Sequence, residues 1–400
     1  MKILIVGNGV AGLSAAEEIR KRNKEANIHM ITKENYYTYY RTQLSHFLSK
    51  DFNVEDIYMH PKNWYVENNI KVIFNEEVRS IDKNKQTIKL SNNEELVYDK
   101  LLLANGASSF IPPVEGRDKQ GVFSLRGLDD LREIQEYAKN IDKGIVIGGG
   151  LLGLEAANSL NKLGIEIKVI EFFDRLLPRQ LDNEGSKVLR KIVEEQGIKL
   201  LLGGQVENIY GENKVEGCKI KGGQDIETSL VLFSAGVRSN IQLAKELGLE
   251  INRSIVVDKF MNTSEEEIYA AGDVCEFNGK SFGIWPIAIE QGKIAGLNMI
   301  GEKQEYEEII PSNMLNVMGS KVFSIGDVGT GEGEYESIKI ERDKNNIFKK
   351  LFFLNGKLVG AILINDIAMA GKLKKLMSSD IDFSELLNKN ISDEEKLNQL

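Results

Sequence analysis

The apolar positions of this chain fall into short unbroken runs separated by stretches with helical spacing. Residues 3–6 (Ile, Leu, Ile, Val) form the first run. Consecutive apolar residues imply a strand buried on both faces, as in a parallel sheet, rather than one half in water. A helical pattern follows through Ile19 and Arg20, and a second apolar segment at 28–31 ends near Glu34. The same succession returns 141 residues later. Residues 145–147 read as a strand, 154–163 as a helix stopped by Gly164, and 165–170 as the next strand, closed by Glu171. Shorter apolar runs at 197–202 and at 268–271 add strands, and Trp285-Pro286 precedes a helical pattern over 287–300. Towards the C-terminus, strands are expected at 322–325, 337–341, 349–354 and 358–364, with Asn355-Gly356 as a hairpin turn and a helix over 366–377. Residues 377–400 are polar and acidic, a short helix or a mobile tail.

The turns between these strands and helices carry the chemistry. Gly7, Gly9 and Gly12 occupy the first, and Gly148, Gly150 and Gly153 the second. In each, the first glycine permits a tight turn, the second lets backbone approach a pyrophosphate, and the third lets helix pack on strand. The helix N-terminus then offers amide donors and a positive dipole end to the phosphates. One such motif is weak, since glycine turns are common. Two, each set between strand and helix and each followed by an acid, predict two dinucleotides. Glu171 lies 18 residues after Gly153. A carboxylate there accepts bonds from both ribose hydroxyls and repels a 2′-phosphate, so NADH is favoured over NADPH. Arg175, four residues on, would soften that preference.

Composition narrows the classes. Apolar content of 42% and charged content of 28% suit a globular protein, and a net charge of −9 argues against nucleic acid. No run of 18 apolar residues exists, so no membrane partner is expected. Gly7, Gly9, Glu17 and Glu18 interrupt any signal-like start, so a cytoplasmic location is expected. Only two cysteines occur, Cys218 and Cys275. That is too few for a disulfide framework, an iron–sulfur site or a structural zinc site, and no metal is expected.

Four motifs occur in order: GNGVAG at 7–12, YDKLLLANGA at 98–107, GGGLLGLE at 148–155 and TSEEEIYAAGDV at 263–274. With them the chain resembles the FAD-dependent pyridine nucleotide–disulfide oxidoreductase superfamily, and most of all its rubredoxin-reductase branch, over residues 1 to about 370. The resemblance implies an α/β fold of two Rossmann-like dinucleotide-binding domains, for FAD and NADH, plus a small α+β C-terminal domain. The FAD domain would be discontinuous, 1–108 and 232–308. The NADH domain would span 109–231, the C-terminal domain 309–376, and the tail 377–400. FAD would be held by Gly7, Gly9, Gly12, Glu34 (adenosine ribose), Arg41 (pyrophosphate), Ala104, Gly106 and Asp273 (ribityl hydroxyl). Pro286 opens a helix that would start under the flavin pyrimidine. NADH would be held by Gly148, Gly150, Gly153 and Glu171, with Glu155 near the nicotinamide. Two positions depart from the family pattern. Asn105 stands where threonine is usual, and His46 where the family has a lysine near the flavin.

Hydride transfer between two cofactors needs no acid–base residue from the protein, so no catalytic side chain is expected. The family's disulfide reductases use C-x4-C or C-x-x-C, and related oxidases use one cysteine about 40 residues in. The corresponding stretch here, 38–48, has none. The resemblance therefore implies direct discharge from flavin to rubredoxin or a similar one-electron carrier. A thiol-independent NADH oxidase and an NADH-responsive binding module stay open. An acidic carrier would need a basic patch, for which Lys349, Lys350, Lys372, Lys374 and Lys375 are candidates.

Overall fold

The unbroken apolar runs become parallel strands. In the computed structural model, which describes all 400 residues, strand Lys2–Val6 pairs in parallel with Asn27–Ile31 on one side and Lys100–Leu103 on the other. Ile268–Ala270 flanks Lys100–Leu103, and Ile70–Ile73 flanks Asn27–Ile31, giving five parallel strands. Ile3, Ile5, Leu101 and Leu102 are fully buried there. Helix Val10–Arg22 follows the first strand, and helix Trp285–Met299 packs along it at backbone distance. A Cβ on Gly292 would strike the backbone of Ala11, and one on Gly296 that of Ala15. Two glycines that cost helix stability are thereby explained by the approach of another helix.

The chain divides into two compact units. One comprises Met1–Gln43, Phe52–Ser108 and Val237–Ile309, and the other Leu44–Asp51, Ser109–Gly236 and Ile310–Leu400. The second unit holds its own five-stranded parallel sheet, in the order Lys199–Leu202, Glu166–Glu171, Lys143–Ile147, Leu230–Phe233, Val122–Ser124. It also holds an antiparallel sheet, in the order Ser312–Val317, Ser320–Gly326, Lys357–Ile364, Ile347–Leu354, Glu336–Arg342. The Asn355-Gly356 hairpin joins two of its central strands, with both residues at positive φ.

Two C-terminal features differ from the sequence reading, and a third resolves an alternative it left open. Ser312–Val317 is an added edge strand, hidden in the sequence because only Leu315 and Val317 along it are buried. The helix starts at Ala370 rather than at 366. Asn365 sits at positive φ, and Asp366 is drawn away by Lys349, so helical geometry begins later. The tail takes the helical alternative. Ser384–Leu387 and Asp393–Gln399 are helices, the latter opened by a Ser392/Glu395 capping box, and Phe383, Leu386 and Leu397 are buried against the antiparallel sheet. No helix is long and apolar enough to cross a membrane.

Candidate functional site

In the first unit the glycine turn lies just beyond the C-terminal end of Lys2–Val6. Parallel register puts Leu103 beside Val6 and beside Ala270, so Gly7, Ala104 and Gly272 emerge at one sheet edge. In open α/β sheets ligands bind at that edge. Gly7 has φ +115°, and a Cβ there would collide with the Ala104 carbonyl. Gly12 lies against the Gly7 carbonyl, whereas a Cβ on Gly9 would meet nothing within 4 Å. Helix Val10–Arg22 has no side-chain cap at Gly9. Its first turn therefore has no side-chain acceptor at the N-cap and open space beside Gly9, which fits a pyrophosphate group.

Around this cradle, Glu34 accepts from Arg41 Nη2 at 2.9 Å and from the Tyr39 hydroxyl at 3.0 Å. Arg41 and Glu34 are thus already neutralised as a pair at the end of the second strand. Gly272 donates its N–H to Gln291 Oε1 at 3.0 Å, and Asp273 accepts from Ser239 Oγ at its carbonyl, 2.7 Å. Ala104–Gly106, with asparagine at its centre, is tied to Asn240. Asn105 Nδ2 donates to the Asn240 carbonyl, Asn240 Nδ2 donates to the Asn105 carbonyl, and Asn240 N–H donates to the Gly106 carbonyl. Pro286 lies in the first turn of helix Trp285–Met299, and Trp285 stacks near Tyr40 at 6.2 Å between ring centres.

The second unit repeats the cradle. Gly148 has φ +118° and backs onto the Ser234 carbonyl, Gly153 lies against the Gly148 carbonyl, and Gly150 is open. Helix Leu151–Lys162 has no side-chain cap. Glu171, buried at the end of its strand, accepts from Gly149 N–H at 2.5 Å and from Phe173 N–H at 2.9 Å. Arg175 turns to Asp174 and to the Pro178 carbonyl. Glu155, one turn into the helix, is 7% exposed. It accepts from Ser45 Oγ at 2.6 Å, and His46 Nε2 lies 3.7 Å from its other oxygen. Burial pushes its carboxyl above the usual range, opposed by the Ser45 bond and by His46 when it is protonated. Ser45 and Gln291 were not legible in the sequence. Ser45 meets its partner 110 residues away and Gln291 its partner 19 residues away, and neither lies in a local motif.

The lysine cluster separates into two groups. Lys350 Nζ lies 2.7 Å from Asp182 and 2.5 Å from Glu184, and Lys349 Nζ lies 2.5 Å from Asp366. Both are largely buried ion-pair partners within the second unit, which removes them from a docking surface. Lys372, Lys374 and Lys375 are exposed.

Comparison with known proteins agrees with this geometry. Residues 1–292 match the pyridine nucleotide-disulphide oxidoreductase family, and residues 311–381 match the rubredoxin NAD+ reductase C-terminal domain. The chain is 37% identical over 386 residues to a nitrite reductase [NAD(P)H] of Bacillus subtilis, covering 96% of this chain and 48% of that protein. It is 35% identical over 385 residues to the NADH-rubredoxin oxidoreductase of Clostridium acetobutylicum, covering 96% of each. The crystal structure of that oxidoreductase superposes with a TM-score of 0.85 at 34% identity, covering 100% of this chain and 99% of the other. The chain spans about half the length of the Bacillus subtilis relatives it matches, 48% in both cases. The chain belongs to the pyridine nucleotide-disulphide oxidoreductase family, whose cofactors are FAD and NADH.

Proposed function

We propose that the chain is an NADH:acceptor oxidoreductase, passing electrons from NADH through bound FAD directly to rubredoxin or a similar one-electron carrier. The observation that carries this reading is the doubled cradle, two open glycine turns with uncapped helices at the edges of two parallel sheets. Bound flavin would supply the redox chemistry, taking a hydride and giving up electrons singly. The residues of the chain bind and orient. Gly9 leaves room for the FAD pyrophosphate beside Gly7 and Gly12, with Arg41 close by. Glu34 would take the adenosine ribose and Asp273 a ribityl hydroxyl, with Ala104 and Gly106 forming the wall. The helix opened by Pro286 would direct its positive end at the flavin pyrimidine. Gly148, Gly150 and Gly153 would seat NADH, Glu171 its ribose, and Glu155 would face the nicotinamide.

Exit without a sulfur relay is supported by both cysteines. Cys218 and Cys275 are buried and unbridged. Burial pushes the Cys218 thiol up to about 12 and raises Cys275 as well, so neither is a ready thiolate. Rubredoxin as acceptor is supported by the name of the Clostridium acetobutylicum relative and by the C-terminal match.

The test is rapid mixing of the anaerobic, NADH-reduced protein with rubredoxin or with oxygenated buffer, following flavin absorbance. Much faster reoxidation by rubredoxin is expected. Faster reoxidation by oxygen would make the protein an oxidase. A long-lived reduced state that neither oxidant discharges, accompanied by a change in oligomer size, would make it a binding module.

A further inference from the structure

We propose that Ser45 and His46 position the Glu155 carboxyl, and that its charge, switched by pH, decides how tightly the second cradle holds oxidised against reduced pyridine nucleotide. This rests on the reading of that cradle as the NADH site.

Packing does not explain Glu155. One turn on along its helix lie two further buried polar residues, Asn158 and Ser159, but neither carries a charge to balance a carboxylate. A buried glutamate is rare unless partnered. Here both partners come from the four-residue helix Leu44–Phe47, 110 residues away in sequence. Ser45 is fully enclosed and gives its hydroxyl hydrogen to the carboxyl. His46 is 39% exposed, and its Nε2 lies 3.7 Å from the second carboxyl oxygen. The short helix is itself anchored, because Gln135 donates its side-chain amide to the carbonyls of Phe47 and Lys50.

The surroundings leave Glu155 to these two residues. Helix Leu128–Ala138 turns the neutral Gln135 towards the short helix. Strand Lys143–Ile147 carries Lys143, which is paired with Glu227. Strand Glu166–Glu171 carries Lys168, Glu166 paired with Lys199, and Glu171, which is bound to two amides. Strand Ser312–Val317 has no titratable group. Burial, the Ser45 bond and His46 in its protonated form are the influences acting on the Glu155 carboxyl.

The consequence is electrostatic. Losing a hydride turns an uncharged dihydronicotinamide ring into a cation. An ionised carboxyl at the ring favours the cation, and a protonated one does not. Binding of NAD+ to the protonated form therefore expels one proton to solvent. By linkage, NAD+ affinity falls by up to about tenfold per pH unit below the Glu155 midpoint.

Dissociation constants for NAD+ and for 1,4,5,6-tetrahydro-NAD, an uncharged-ring analogue that transfers no hydride, would be measured on oxidised FAD-loaded protein between about pH 5 and 9. NAD+ binding is expected to tighten with rising pH while the analogue stays flat, with up to one proton released per NAD+ bound. Glu155→Gln should abolish the slope. Ser45→Ala and His46→Asn each remove a group that favours the charged carboxyl, so each should move the inflection to higher pH. His46→Asn alters an exposed side chain and keeps the test usable if Glu155→Gln fails to fold. A pH dependence that survives Glu155→Gln, or an inflection unmoved in both other variants, overturns the proposal. Failure of the wild type to bind either nucleotide would instead overturn the assignment of the cradle.

Discussion

Glu171 spends both carboxylate oxygens on its own backbone, one on Gly149 N–H and one on Phe173 N–H. It thereby holds the glycine turn and the end of its strand in one geometry while remaining the acid beside the cradle. Arg175 is turned to Asp174 and Pro178, so the cation that would soften discrimination is directed elsewhere. Glu171→Gln removes the charge proposed to oppose a 2′-phosphate and keeps an acceptor for only one of the two backbone N–H groups. Charge-assisted hydrogen bonds contribute about 1.5–3 kcal/mol each, so KM for NADH should rise on the order of tenfold to a hundredfold. KM for NADPH should rise much less, narrowing the preference. Steady-state kinetics with both nucleotides checks this, and an unchanged NADH/NADPH ratio would show that Glu171 only braces the turn.

Glycines in two neighbouring elements carry opposite expectations. Gly292 packs its helix onto the backbone at Ala11, with no room for a Cβ. Overpacking of this kind costs about 1–3 kcal/mol, so Gly292→Ala should lower the urea midpoint of the protein with or without flavin. Gly9 has nothing within 4 Å of a Cβ. Gly9→Ala should leave the apoprotein as stable as wild type yet purify with much less flavin, because the methyl group occupies the space proposed for the pyrophosphate. Flavin content and apoprotein unfolding, measured side by side, separate the two effects. These elements also show what local sequence can convey. Strand, glycine turn and helix are contiguous, so the spacing of Gly7, Gly9 and Gly12 announces the cradle. The reason for Gly292 is not local. It depends on a helix some 280 residues earlier, and the pattern over 287–300 revealed a helix but not its neighbour.

Across the whole molecule the least legible features are pairs separated by long stretches of chain. Lys350 meets Asp182 and Glu184 over more than 160 residues, joining the antiparallel sheet to helix Asn183–Glu195 inside the second unit. In sequence it was one lysine among five. The Lys339 and Lys350 ammonium groups hold the Glu184 carboxyl down at about 2. A depressed carboxylate contributes stability above its unfolded pKa and loses it as pH falls through the folded value. Lys350→Met should therefore destabilise fully at neutral pH, with the gap from wild type closing between about pH 4.5 and 2 in urea titrations. A gap that persists unchanged to pH 2 would mean that packing, not charge, is what Lys350 provides.

With Lys349 and Lys350 committed to ion pairs, the candidate basic patch contracts to Lys372, Lys374 and Lys375 on helix Ala370–Met377. The protein carries a net charge of −9, so an acidic carrier is repelled at long range and only a local patch can steer it. Lys374 lies 5.8 Å from the Phe323 ring centre, which holds its ammonium near the surface of the antiparallel sheet. Lys374→Glu should slow rubredoxin reduction by about tenfold at low salt, and the difference from wild type should shrink as added salt shortens the Debye length towards about 8 Å. Reduction of flavin by NADH should not change in the same variant, since the substitution lies in neither cradle. Equal carrier rates for both proteins at every salt concentration would move the docking surface away from this helix while leaving the two-cradle reading intact.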